Sequence, residues 1–209
     1  MFNFDLSRII MVLPGILLAL TVHEFSHGYV AYLIGDPTAK NQGRLTLNPI
    51  AHIDPIGFLM LMFAGFGWAK PVPVNPYLFD IDRRKGTLLV SLAGPASNIA
   101  LAIVLTLLFG LLIRFTGGMG SLVQQLFISA IFINLVLAVF NLFPIPPLDG
   151  SKILMSLFPS RFEHFFHEME RYTFIILIAL LFLGVIRRIL FPIVNVLFSI
   201  LMGFLTFIV

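Results

Sequence analysis

His23-Glu24-Phe25-Ser26-His27 places two imidazoles and a carboxylate inside an otherwise apolar stretch, residues 9–34. On a helix, positions 23 and 27 lie one turn plus about 40° apart, so both imidazoles share a face and can grip one metal ion while Glu24 stands beside them. Two nitrogen donors next to a general base are the parts a zinc hydrolase uses to activate water. The setting is unusual, because ionisable side chains are costly at membrane depth and mark function there. The chemistry expected is metal-dependent peptide hydrolysis within a membrane. Two other readings use the same residues: a zinc or proton-coupled transporter, and an inactive homologue that binds transmembrane helices without cutting them.

Membrane helices must position this motif. Hydrophobic residues make up 59% of the 209 and charged ones 11%, mean hydropathy is +1.02, and several apolar runs approach or exceed the roughly 20 residues a spanning helix needs. The lipid bilayer is therefore an expected partner. The first apolar segment lacks a small-residue cleavage site and carries the motif itself, so it is expected to stay in the mature chain. A net charge of +3 is too small to argue for nucleic acid, and the Lys and Arg residues read as topology signals. Cysteine is absent, which leaves only nitrogen and oxygen donors for a metal.

The fold class expected is an all-α polytopic membrane protein of about five transmembrane helices, with a re-entrant or interfacial segment and a short β element. The spans are residues 9–34, 87–115, 122–143, and a pair split by Arg187-Arg188, 172–186 and 189–209, with Pro192 as a first-turn proline of the last. Residues 55–68 are apolar, short of a full span and broken by three glycines, which favours a segment that dips and returns. Lys40 and Arg44 precede it, and Lys70, Arg83, Arg84 and Lys85 follow it, so the positive-inside rule puts both flanks in the cytoplasm. Arg8, Arg114 and the Arg187-Arg188 pair then lie toward the outside, against that rule. Residues 43–47, Gly-Arg-Leu-Thr-Leu, alternate as a short strand, and residues 70–76, Lys-Pro-Val-Pro-Val-Asn-Pro, must be extended because each proline disfavours helix before it. A free strand edge there could pair with an unwound substrate, although a structural hairpin and linker explain both segments equally well.

A catalytic zinc usually has three protein ligands and one open position. The other acid expected at membrane depth is Asp149, in Asn141-Leu-Phe-Pro-Ile-Pro-Pro-Leu-Asp-Gly150, where three prolines end the preceding helix. Alone, Asp149 reads more readily as a turn residue or helix cap before residues 151–158; the His-Glu motif shifts the balance to a ligand.

Here the chain resembles the site-2 protease family of intramembrane zinc metalloproteases. The resemblance rests on residues 23–27, on Gly94-Pro95-Ala96-Ser97-Asn98, and on the run from Asn141 to Gly150, in matching order and spacing. It implies that His23, His27 and Asp149 hold one Zn²⁺ per chain, that Glu24 is the catalytic acid/base, and that Asn141 is a candidate for holding the scissile carbonyl. The implied substrate is a transmembrane protein or peptide, and the implied location is the cell membrane, crossed several times. Residues 52–55 and 69–74 look like the compact subgroup without PDZ or CBS domains. The expected organisation is a single membrane-embedded domain over residues 1–209, with a catalytic core of about 9–160 and additional helices at about 172–209.

Other polar residues have simpler explanations. Gly94, Ala96 and Ser97 are explained by close helix packing around Pro95, with Asn98 free to touch substrate or site. His52 reads as a surface or capping residue sooner than as an alternative ligand. His164 and His167 fall in residues 161–170, which read as an amphipathic interfacial helix.

Overall fold

The computed structural model describes residues 6–64, 67–118, 120–158, 171–172, 175–176, 179–180 and 183–208. Four long helices dominate: α1, Leu6–Leu33; α4, Arg83–Thr116; α5, Ser121–Asn141; and α7, Val185–Ile208. Between them lie the short helices α2, Thr38–Asn41, α3, Pro55–Ala64, and α6, Asp149–Leu157. Helices α4 and α5 and residues Val185–Phe207 of α7 are long and apolar enough to cross a membrane. Helix α1 has the length, at 28 residues, but carries the polar run 23–27 in its second half.

Helices α1, α4 and α5 pack on one another, α6 leans on α4, and α7 covers α4 and α5. A buried cluster of Ala102, Ile131, Leu135, Val139, Ile186, Leu190 and Val194 fixes the last of these contacts. The rest of the interior is built from small and polar side chains such as Ala19, Ala138, Thr21, Thr106, Asn98 and Asn134, while Leu107 and Leu111 of α4 and Val196 and Phe204 of α7 are exposed. That inversion suits lipid, where close backbone approach and interhelical hydrogen bonds hold helices together.

The ends of α4 show why it stops where it does. Asp82 accepts from the Lys85 N–H at 3.0 Å at its start, and Gly117, at φ 69, closes its end by donating to the Ile113 carbonyl at 3.0 Å. Left-handed backbone of this kind costs glycine little.

The two ends of residues 55–68 meet. Helix α3 has 10 residues, about 15 Å of rise against a hydrocarbon core of about 30 Å. Ile53 then bridges Ala69, and the Lys70 N–H donates to the His52 carbonyl at 2.9 Å. Close approach of the two arms requires glycine, since a Cβ on Gly57 would fall on the Trp68 carbonyl and one on Gly67 would fall on the Gly57 carbonyl.

Three expectations need correction. The strand expected at residues 43–47 is turn and loop: Gly43 sits at φ 65, and the Arg44 N–H donates to the Ala39 carbonyl, so that edge is already engaged. Among the described residues the only strand-type pairing is the Ile53–Ala69 bridge. Arg187-Arg188 does not divide the last helices; the break is the turn at Leu183-Gly184, with Gly184 at φ 67. Helix α7 therefore starts earlier and holds Pro192 in its interior. His164 and His167 lie outside the described residues, as do residues 173–174, 177–178 and 181–182 of the segment 172–186.

Candidate metal centre

The His23 and His27 rings stand one turn apart on α1, edge to face, with centroids separated by 4.6 Å. Asp149 comes from the first turn of α6, carried there by the proline-rich turn after α5. Its Oδ2 lies 3.1 Å from His23 Nε2 and 3.2 Å from His27 Nε2, and the two Nε2 atoms are 3.1 Å apart. All three residues are buried, and they form a group able to hold a metal ion.

Hydrogen bonds at the far side of each ring decide what these atoms are. His27 Nδ1 lies 2.7 Å from the Val90 carbonyl, and His23 Nδ1 lies 2.7 Å from Asn98 Oδ1. Both partners are acceptors, so each Nδ1 carries a proton, and in the neutral ring each Nε2 turns a lone pair toward Asp149. Three converging electron-rich atoms repel one another without a cation between them. The fit to zinc is close: a tetrahedral ion with ligands at about 2.0–2.1 Å has donors about 3.3 Å apart. Gly94 of α4 keeps the approach open, since a Cβ there would lie 2.5 Å from His27 Nε2 and 2.6 Å from His23 Cε1.

Glu24 is buried beside the triad, and its Oε2 accepts from the Val72 N–H at 2.8 Å. Val72 is the one residue of Pro71-Val72-Pro73 with an N–H to give. The extended segment that bears it is anchored in the turn that follows α1. Buried Asp36 accepts from the Asn75 N–H at 2.7 Å and from the Thr38 N–H and hydroxyl, and the Asp80 N–H donates to the Ile34 carbonyl at 2.7 Å.

Asn141 ends α5, where its Nδ2 donates back to the Leu137 carbonyl at 3.0 Å. His52, buried and not at the surface, braces the ends of residues 55–68, with Nε2 donating to the Thr46 carbonyl at 2.8 Å, and is not part of the triad. Beside the site runs a cavity of about 1000 Å³ lined mainly by apolar side chains, among them Leu17, Leu20, Trp68, Phe140 and Leu148.

The sequence signature of Peptidase family M50 matches residues 11–184. The chain belongs to peptidase family M50. It is 41% identical over 196 residues to the Bacillus subtilis protein named "Putative zinc metalloprotease YwhC", an alignment covering 92% of this chain and 89% of that one. It is 30% identical over 194 residues to "Putative zinc metalloprotease Rip2" of Mycolicibacterium smegmatis, covering 88% and 71%, and 33% identical over 155 residues to "Putative zinc metalloprotease MJ0611" of Methanocaldococcus jannaschii, covering 73% of each. No solved structure matches it. This M50 chain is thus a zinc metalloprotease of the site-2 protease family and an integral membrane protein.

Sequence reasoning missed the roles of Val72, Asp36 and Gly94 in this M50 site. The pattern Pro-Val-Pro was a signal for a lone N–H, but nothing local names its acceptor. Gly94 had been assigned to helix packing, and its neighbours are instead the two imidazoles.

Proposed function

We propose that the chain is an intramembrane endopeptidase that hydrolyses peptide bonds within or near transmembrane segments of membrane proteins. His23, His27 and Asp149 hold its zinc, Glu24 is the acid/base, and Asn141 orients the scissile carbonyl. The observation that carries this reading is the convergence of three buried donors within 3.1–3.2 Å inside a bundle whose outer faces are apolar.

Zinc at such a site supplies a Lewis acid and makes water a competent nucleophile near neutral pH. The residues do the rest. Glu24 takes the proton of the attacking water and returns it to the leaving amine, while the Val72 N–H holds the carboxylate so that one oxygen stays free for that transfer. Asn141 has a side-chain amide that exchanges the Leu137 carbonyl for the substrate's at little cost, because that carbonyl already lies within a helix. The apolar cavity receives the substrate and limits bulk water. An extended peptide fits this geometry better than an intact helix, whose carbonyls are engaged in their own bonds.

The whole chain forms a single membrane-embedded domain crossing the cell membrane several times, with residues 55–68 dipping in and returning. The hairpin closure at Ile53–Ala69 supports that path. Co-expression with a panel of single-span membrane proteins tests the activity. Glu24→Gln is expected to keep the fold, the zinc and substrate association while losing roughly 10²–10⁴-fold in cleavage. Substrates with helix-breaking residues near the cytoplasmic side should be cut faster than leucine-stabilised ones. Undiminished cleavage by Glu24→Gln would overturn the assignment.

A further inference from the structure

The two imidazoles of the triad are oriented by different kinds of partner. His27 Nδ1 donates to a backbone carbonyl, that of Val90, whereas His23 Nδ1 donates to a side chain, Asn98 Oδ1 at 2.7 Å. Asn98 lies on α4 and is fully buried. An amide can present either its oxygen or its nitrogen, so something must decide which one His23 meets.

The decision comes from α5. Asn134, also fully buried, donates through Nδ2 to the Ala130 carbonyl of its own helix at 2.8 Å, which turns its Oδ1 outward. Asn98 Nδ2 gives its two hydrogens to that oxygen, at 2.9 Å, and to the Ala19 carbonyl of α1, at 3.0 Å. With both N–H groups spent on acceptors, Asn98 can offer only Oδ1 to His23. Each amide's orientation is fixed by the one before it.

We propose that Asn134 and Asn98 are positioning residues, an amide relay that sets the tautomer and direction of His23, so that metal affinity is tuned from α5, a helix that supplies no ligand. This rests on the reading that His23, His27 and Asp149 hold the zinc. The choice of amides follows from charge. Asp149 and Glu24 already balance the two positive charges of zinc, and a third carboxylate behind His23 would leave a net negative site in a low-dielectric interior. An amide orients the ring and adds no charge. The same two side chains link α1, α4 and α5 at the level of the site, so the relay also registers the three helices there.

The test is zinc affinity, measured by chelator competition on the purified full chain, together with the visible spectrum of the cobalt-substituted protein, which reports ligand geometry. Asn98→Leu is expected to raise the zinc Kd roughly 10–100-fold and shift the cobalt bands. Asn134→Leu should act in the same direction and less strongly. The double variant should be no weaker than Asn98→Leu within about twofold, because residues acting through one path are non-additive. Asn98→Asp keeps an acceptor for His23 and should recover most of the affinity while lowering the melting temperature of the metal-free protein.

Thr106→Val is the control. It removes a buried hydroxyl from α4 that donates to the Ala102 carbonyl at 2.8 Å, and it should leave zinc and cobalt spectra unchanged. Native affinity in Asn98→Leu, additive losses in the double variant, or an equal loss in Thr106→Val would each overturn the relay. Should Asn98→Leu fail to fold, Asn134→Leu decides alone, and native affinity there overturns the proposal. Parallel measurements on His23→Ala and Asp149→Ala keep the premise separate: native zinc content in those variants sinks the ligand assignment, whereas loss there with native affinity in Asn98→Leu sinks only the relay.

Discussion

The backbone N–H of Val72 donates to Oε2 of Glu24 at 2.8 Å, across 48 residues of sequence, with both groups buried. A carboxylate beside a metal triad is thereby held by an extended segment flanked by prolines, and that segment is tied to the turn after α1 through Asn75 and Asp36. One isolated N–H thus orients the group to which proton transfer is assigned.

Val72→Pro removes this donor and puts a ring carbon where the N–H met Glu24 Oε2, so the carboxylate loses its partner and is pushed aside, while the extended backbone between Pro71 and Pro73 accommodates proline. Hydrogen bonds to charged groups are worth about 1.5–3 kcal/mol. The expected result is at least a tenfold fall in kcat with zinc content unchanged, measured against Val72→Ala, which keeps the N–H. Equal losses in the two variants would show that the Val72 side chain matters and not its N–H.

The donor set predicts about one zinc per chain, removed by chelators and strongly reduced in His23→Ala, His27→Ala and Asp149→Ala. Metal analysis of purified protein checks this. Full zinc retention in Asp149→Ala would remove Asp149 from the coordination sphere.

Gly94→Ala should harm the site more than the helix, since alanine favours helix by about 1 kcal/mol over glycine. The new Cβ would stand 2.5 Å from His27 Nε2 and 2.6 Å from His23 Cε1. Zinc affinity is expected to fall at least tenfold, in line with displaced ligands, while the metal-free protein melts no lower than the native one. Native zinc affinity in this variant would show that the rings can move aside freely.

Topology can be read with introduced cysteines, because the chain has none of its own. If residues 55–68 dip and return, cysteines at Lys40 and Arg84 should both be labelled from the cytoplasmic side, and one at Gly118 from outside. Opposite-side labelling of the first two positions would make residues 55–68 a true crossing.

Much of the site was legible because its parts obey local rules. His23 and His27 share a helical face at any depth in any fold, and Asp149 stands out as an acid in a proline-rich turn between apolar runs. The long helices were legible from apolar length alone. The strand expected at residues 43–47 and the helix break at Arg187-Arg188 were not, because alternation and charge carry no information about which backbone groups are already bonded. Arg44 had spent its N–H on Ala39, and the turn fell at Gly184, where φ is positive.

The sequence by itself determined the donor types, their spacing on α1, the carboxylate beside them and the membrane setting, since each follows from residue chemistry and helical period. Only the tertiary structure decided that Asp149 closes the triad at 3.1–3.2 Å, that Gly94 leaves the space for it, that Val72 holds Glu24, and that Asn134 and Asn98 line up behind the face of His23 turned away from Asp149. These are contacts between segments tens of residues apart. Their geometry is set by how α1, α4, α5 and the extended segment pack, and periodicity along one helix does not contain that information.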